Sequence, residues 1–195
     1  MTGAPHGVWA RTMESLGHRA RSTSWREHAS AWREAMRHVS RPLPAPASRA
    51  DLTVVLPQYA RLQNVELAVW LALASPRVAR VIVVNDNPRE RLDDHLTLRD
   101  PRVVRVEHAH SVGPVCRYLE ARSHGGERFV SVDDDLFLLP RQYEALADAL
   151  VAEPDRPHGL YGQRWHARTQ GFVDNLVRTD GAVDVLVCGV GTGGT

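Results

Sequence analysis

From residue 51 onward the chain alternates short β-branched runs with helical windows, and the polar residues gather where the runs stop. Leu52-Thr53-Val54-Val55-Leu56 stops at Pro57, Val78 to Val84 runs into Asn85-Asp86-Asn87-Pro88, Val103 to Val106 follows Asp100-Pro101, and Phe129 to Val132 meets Asp133-Asp134-Asp135. Apolar runs this short, bounded by turn formers, read as buried strands. Between them, Leu62 to Ala74 places Leu62, Val65, Leu67, Ala68, Leu71 and Ala72 on a helical pattern that Ser75-Pro76 ends, and residues 113 to 122 form a second helical window stopped by Gly125-Gly126. Strand, helix, strand, strand, helix, strand predicts an α/β domain with a mostly parallel sheet flanked by helices, and in such sheets ligands sit beyond the carboxyl ends of the strands.

The end of the fourth run carries the strongest chemical signal. Three adjacent carboxylates repel one another, and a fold has little reason to crowd them at a strand end unless a cation or a polyhydroxylated ligand offsets the repulsion. The bland alternative is an N-cap followed by a solvated acidic turn, although capping needs one Asp rather than three. At the end of the first strand stand Tyr59 and Arg61, and at the end of the second Asn85 and Asp86. Together the three ends supply an aromatic face, a guanidinium, amide and carboxyl acceptors and a carboxylate cluster for a hard divalent cation. A nucleoside diphosphate needs this set: a ring to stack its base, acceptors for its imino hydrogen and ribose hydroxyls, and a metal to neutralise its pyrophosphate. Each residue has a duller rival. Tyr59 can plug a sheet edge, Arg61 and Arg117 can be ordinary salt-bridged surface residues, and Asn85-Asp86-Asn87 can be no more than a turn.

Several function classes fall away on composition. A formal net charge of +1 over 195 residues provides no overall field for nucleic acid. Neither a P-loop nor a G-x-G-x-x-G follows the first strand, which argues against a nucleoside triphosphatase or a dinucleotide-binding domain. The ten His show no metal-type spacing, and Cys116 and Cys188 stand far apart, so a reducing compartment without a disulfide framework is expected. With no apolar leader region and no window long enough to span a bilayer, a soluble cytoplasmic protein is expected.

Residues 1 to 50 differ from the rest, with eight Arg against three Glu. Val8, Trp9, Met13, Leu16, Trp25, Ala29, Trp32, Ala35, Met36 and Val39 recur at intervals of three and four, which predicts a basic amphipathic helix or helix pair. Its apolar face either packs on the domain or lies on an anionic membrane surface, giving peripheral membrane contact. Pro42, Pro44 and Pro46 break the helix. The expected organisation is therefore a helical segment at 1–40, a Pro-rich linker at 41–50 and the α/β domain at 51–195.

Thr53-Val54-Val55-Leu56-Pro57-Gln58-Tyr59-Ala60-Arg61, then Val81-Ile82-Val83-Val84-Asn85-Asp86-Asn87, then Phe129-Val130-Ser131-Val132-Asp133-Asp134-Asp135-Leu136 resembles a glycosyltransferase of the GT-A fold, the Rossmann-like fold of nucleotide-diphospho-sugar transferases. The exostosin-like group, with S-[VI]-D-D-D followed by apolar residues, and the family 2-like enzymes are the nearest in flavour. The likeness covers about residues 51 to 165. It implies a metal-dependent transferase acting on a nucleotide-diphosphate sugar, in first place a UDP-sugar, and an acceptor it does not identify. Asp135 and Asp133 would hold Mn²⁺ or Mg²⁺, Asp133 and Asp134 would also face the donor, and Tyr59 and Arg61 would line the uracil and ribose pocket. Asn85 or Asp86 would complete base recognition, and Arg117 would reach the donor sugar or its phosphates. Arg164, Trp165 and His166 would stand on the acceptor side, and no catalytic base is assigned. Glycosyltransferases of this fold usually continue for dozens of residues past the point where this sequence stops, so a C-terminally shortened domain is expected. Two alternatives stay open: a non-catalytic nucleotide-sugar-binding domain, and a nucleotidyltransferase of related fold, which would need a basic Gly-rich loop where Pro57 to Arg61 stands.

The tail, Val183 to Thr195, resembles the phosphate cradle of the cysteine synthase family. That family's Schiff-base Lys has no counterpart, because all 24 basic residues counted as Lys or Arg are Arg.

Overall fold

The computed structural model describes residues 33–39, 41–124, 126–159, 161–166 and 171–177, the last two stretches for their backbone only. Four strands form one sheet: β1 (Leu52–Gln58), β2 (Val78–Asn85), β3 (Val103–Glu107) and β4 (Arg128–Ser131), in the order β3-β2-β1-β4. Every pairing in it is parallel. This is the mixed α/β architecture with a parallel sheet that the alternation of runs predicts. Helices are α1 (33–39), α2 (Val65–Leu73), α3 (Cys116–His124) and α4 (Pro140–Ala152).

Register explains the core. Val55 pairs with Ile82 and Ile82 with Val104, so these side chains share one face of the sheet. Val55, Ile82 and Val84 pack there with Cys116 and Ala121 of α3. α2 is apolar nearly all round, and eight of its nine residues are buried, as expected of a crossover helix covered on both sides. Its Leu67 and Leu71 meet Ala35 and Val39 of α1 together with Phe137 and Leu139. Thus the last turns of the N-terminal amphipathic segment pack on the domain, and the rest of that segment lies outside the described residues. Truncating one such fully buried Leu costs about 2–5 kcal/mol. One charged residue of α2, Glu66, is buried, and Thr97 satisfies it through its backbone N–H at 3.1 Å and its hydroxyl at 2.8 Å.

Several boundaries differ from the pattern reading: β1 continues through Pro57 to Gln58, β2 and β3 each run one residue further, and α3 runs on to His124. The window at 62–74 opens with a tight 3₁₀ turn over Leu62–Asn64 before α2, and the window at 113–122 does the same over Gly113–Val115. β4 ends at Ser131, although the Val132 N–H still donates to the Val55 carbonyl at 3.0 Å. β4 is also half-exposed rather than buried, because among the described residues it pairs with β1 alone and its Phe129 remains 37% accessible.

The chain divides into two compact units at Pro140 and Arg141. In the second unit α4 buries Tyr143, Leu146 and Ala147 along one side, and β5 (Tyr161–His166) pairs antiparallel with β6 (Gly171–Val177), with a register shift between Arg164 and Trp165. Among the described residues no helix is long and apolar enough to cross a membrane.

Candidate functional site

Because the sheet is parallel, the carboxyl ends of all four strands lie along one edge. β1, β2 and β3 step outward in one direction, whereas β4 lies on the other side of β1. The direction of winding therefore reverses between β1 and β4, and such a switch point leaves a crevice that no crossover connection covers. The segments that leave these two strands are Tyr59-Ala60-Arg61 and Asp133-Asp134-Asp135.

The acidic triplet is divided by geometry into different environments. Asp134 turns toward the β1 loop: its Oδ2 accepts the backbone N–H groups of Tyr59 at 3.3 Å, Ala60 at 2.9 Å and Arg61 at 3.0 Å, and its Oδ1 accepts Arg61 Nη1 at 3.1 Å. The Asn64 amide donates to the Asp134 carbonyl at 2.8 Å. One carboxylate thus fills the anion-accepting concavity that three successive amides create. Asp133 faces the other way and pairs with Arg117 Nη2 at 2.7 Å, while Asp135 lies 3.4 Å from Arg61 Nη1. A tight turn closed by Leu136 N–H to the Asp133 carbonyl at 3.0 Å lets adjacent side chains diverge in this manner.

Arg117 stands in the first turn of α3, and its Nε–H donates to the Pro114 carbonyl at 3.0 Å, which fixes the stem of the side chain. Tyr59 is 55% exposed, so its ring is available to stack. Its carbonyl accepts the Asn87 amide at 2.8 Å, and the Asp86 N–H donates to the Gln58 carbonyl at 2.9 Å, so the loops after β1 and β2 are tied together. Gln58 itself is buried with neither atom of its amide paired among the described residues.

Asn85 and Asp86 are buried and serve the protein's own loops. Asn85 donates to the Glu90 carbonyl at 2.7 Å and accepts the Asn87 N–H at 3.0 Å, which is the Asx turn its composition suggests. Asp86 accepts the Ser111 hydroxyl at 2.6 Å and the N–H groups of Val112 and Gly113, both at 2.9 Å, and lies 2.8 Å from His108 Nδ1. Burial on its own would raise the Asp86 pKa, but these hydrogen bonds outweigh it and hold the carboxyl below its usual 3.8. Nearby Cys116 is pushed up to about 11 by burial and by the Asp86 charge, so its thiol is inert near neutrality.

The structure thus brings Tyr59, Arg61, Arg117 and Asp133 to Asp135 to the switch point and joins Asn85 and Asp86 to it through the loop contacts. Asn64, His108, Ser111 and Glu120 were not singled out from sequence. Their partners lie 70, 22, 25 and 12 residues away, and no local spacing marks such pairs. The side chains of Arg164, Trp165 and His166 and the Gly-rich tail lie outside the described residues.

Mn²⁺ and Mg²⁺ are commonly bound through one or two carboxylates plus the phosphates of a substrate, with water completing the octahedron. Asp133 and Asp135 offer hard oxygen donors of that kind. Among the described residues no group of three or more His, Cys, Asp or Glu could hold a metal on its own.

No protein-family model matches the chain, and no curated protein matches it. Solved structures do. The mannosyltransferase PcManGT from Pyrobaculum calidifontis, solved with GDP-Man and Mn²⁺, is similar over 80% of this chain and 46% of its own, at 20% identity and a TM-score of 0.49. TarS from S. aureus, solved over residues 1–349, is similar over 55% of this chain and 33% of its own, at 19% identity and a TM-score of 0.36. This chain spans less than half the length of either structure.

Proposed function

We propose that this chain is the donor-binding part of a glycosyltransferase that moves a sugar from a nucleotide-diphosphate sugar, in first place a UDP-sugar, to an acceptor. The observation that carries this reading is the meeting of an exposed aromatic, two guanidinium groups and three carboxylates at the switch point between β1 and β4.

In this reading Tyr59 stacks the base beyond the end of β1, and Asp134 holds the loop that presents it. Asp133 and Asp135 hold the divalent ion, which when bound offsets the charge that develops on the leaving diphosphate. Arg61 and Arg117 then have a second task. Their planar forks, drawn onto carboxylates in the protein alone, match phosphate oxygens equally well and can share themselves between the two. Stabilising a departing diphosphate at a preorganised cationic site is where most of the rate enhancement in such a transfer would arise.

Calorimetry with UDP, GDP and ADP, with and without Mn²⁺, tests the reading. The expected result is binding of UDP that strengthens with Mn²⁺ and a loss of that metal-dependent part in Asp135→Ala. Metal-independent or absent nucleotide binding would sink it. Strong binding of UDP without hydrolysis or transfer of any sugar nucleotide would favour a binding domain instead.

A further inference from the structure

His108 stands just beyond β3, and its backbone N–H donates to the Asn85 carbonyl at 3.0 Å, which brings it beside the end of β2. Its Nδ1 lies 2.8 Å from Asp86 Oδ1 and its Nε2 lies 3.0 Å from Glu120 Oε1. Ionised carboxylates only accept hydrogen bonds, so both ring nitrogens must donate, and a neutral imidazole carries a single N–H. We propose that His108 is a positioning residue: an imidazolium clamped between Asp86 and Glu120 that fastens the start of α3, and with it Arg117, to the carboxyl end of β2.

The connections run through one carboxylate on each side. Asp86 holds Ser111, Val112 and Gly113, the segment that leads into α3. Glu120 lies one turn beyond Arg117 on α3 itself. Without the proton, Asp86 and Glu120 would face each other across a ring with one lone pair pointing at an anion. The charged and titratable groups around the clamp are Asp86 just past β2, Glu120 and His124 from α3, with His124 Nδ1 3.2 Å from Glu120 Oε2, and Cys116 and Arg117 on the first turn of α3. Burial pulls the His108 pKa down, but the bonds from Asp86 and Glu120 overcome it and leave the ring above its usual 6.5. Deprotonation would loosen α3 and so the Arg117–Asp133 contact. The bearing of this clamp on sugar transfer rests on the transferase reading, whereas the clamp is measurable in the protein alone, so failure of one leaves the other standing.

The test is a pH series of long-range ¹H–¹⁵N spectra of the histidine rings in the unliganded full chain, with His108 assigned through His108→Gln, or through backbone connectivity if that variant does not fold. The expected result is a His108 ring protonated at both nitrogens at neutral pH, with the Val112 and Gly113 amides shifting at the same midpoint. Glu120→Gln should move that midpoint to lower pH while the fold, read by circular dichroism, is kept. A merely space-filling His108 would not couple to Glu120 in this way. A singly protonated ring at neutral pH, or a midpoint that Glu120→Gln leaves in place, overturns the proposal.

Discussion

Asp134 grips Arg61 twice, accepting its side-chain Nη1 on one carboxylate oxygen at 3.1 Å and its backbone N–H on the other at 3.0 Å. The middle member of the triplet is therefore a brace for the loop after β1. Asp134→Ala leaves three successive amides without this acceptor and is expected to cost about 2–3 kcal/mol, because hydrogen bonds to a charged group are among the stronger ones. Asp134→Asn, which keeps one oxygen, should lose less. Urea unfolding of the two variants against the parent measures both, and equal stability of all three would show that the brace contributes nothing.

Gln58 presents the opposite case. Its amide is buried with no hydrogen-bond partner among the described residues, so the cost of desolvating it is incurred with no bond from them in return. Gln58→Met, of similar shape, is expected to raise stability by about 1 kcal/mol. Thermal unfolding in the absence of nucleotide is the measurement.

Gly113 adopts φ +75°, the left-handed region, at the point where its N–H reaches Asp86. A Cβ added there would meet no atom within 4 Å, so any penalty is backbone strain alone. Gly113→Ala is expected to cost about 1–2 kcal/mol, and Gly113→Asn less, since Asn tolerates this region. Chemical denaturation of the pair separates strain from crowding, because the larger residue should be the milder one.

The Asp86–His108 pair gives stability a pH window. Asp86 has a lowered folded pKa, so its contribution is present above the usual 3.8 and fades as pH falls through the lowered value. His108 has a raised folded pKa, so its contribution is complete below the usual 6.5 and fades as pH rises through the raised value. The difference in melting temperature between the parent and His108→Gln should therefore be largest between those two reference values and shrink on the alkaline side. A difference that does not vary with pH would exclude the ionic origin.

Arg117→Gln is expected to weaken UDP binding in the presence of Mn²⁺ by about tenfold, the effect of losing one charge-assisted hydrogen bond. Folding stability should also fall, by about 1–2 kcal/mol, since the Arg117 side chain is mostly buried and its bond to the Pro114 carbonyl is lost together with the pair to Asp133. Calorimetry and denaturation on the same sample distinguish the two effects.

Much of this was legible in the residues themselves. The runs at 52–56, 78–84, 103–106 and 129–132 announce strands because β-branched residues between turn formers have few other uses, and a mostly parallel sheet is expected from the helices that separate the first run from the second and the third from the fourth. The same logic puts Tyr59, Arg61 and Asp133 to Asp135 at one edge. What the sequence could not express is which way each carboxylate points. Asp133, Asp134 and Asp135 are chemically identical, yet one pairs with Arg117 and one braces the backbone of residues 59–61. Likewise Asp86 reads as a turn former or a ligand contact, and only the packing of α3 against the end of β2 turns it into an anchor for His108 and for the Ser111–Gly113 segment. Local propensity acts over a few residues and sets elements and their ends. Side-chain partnership depends on chain segments 12 to 75 positions apart meeting at hydrogen-bond distance, which the closing of the sheet alone decides.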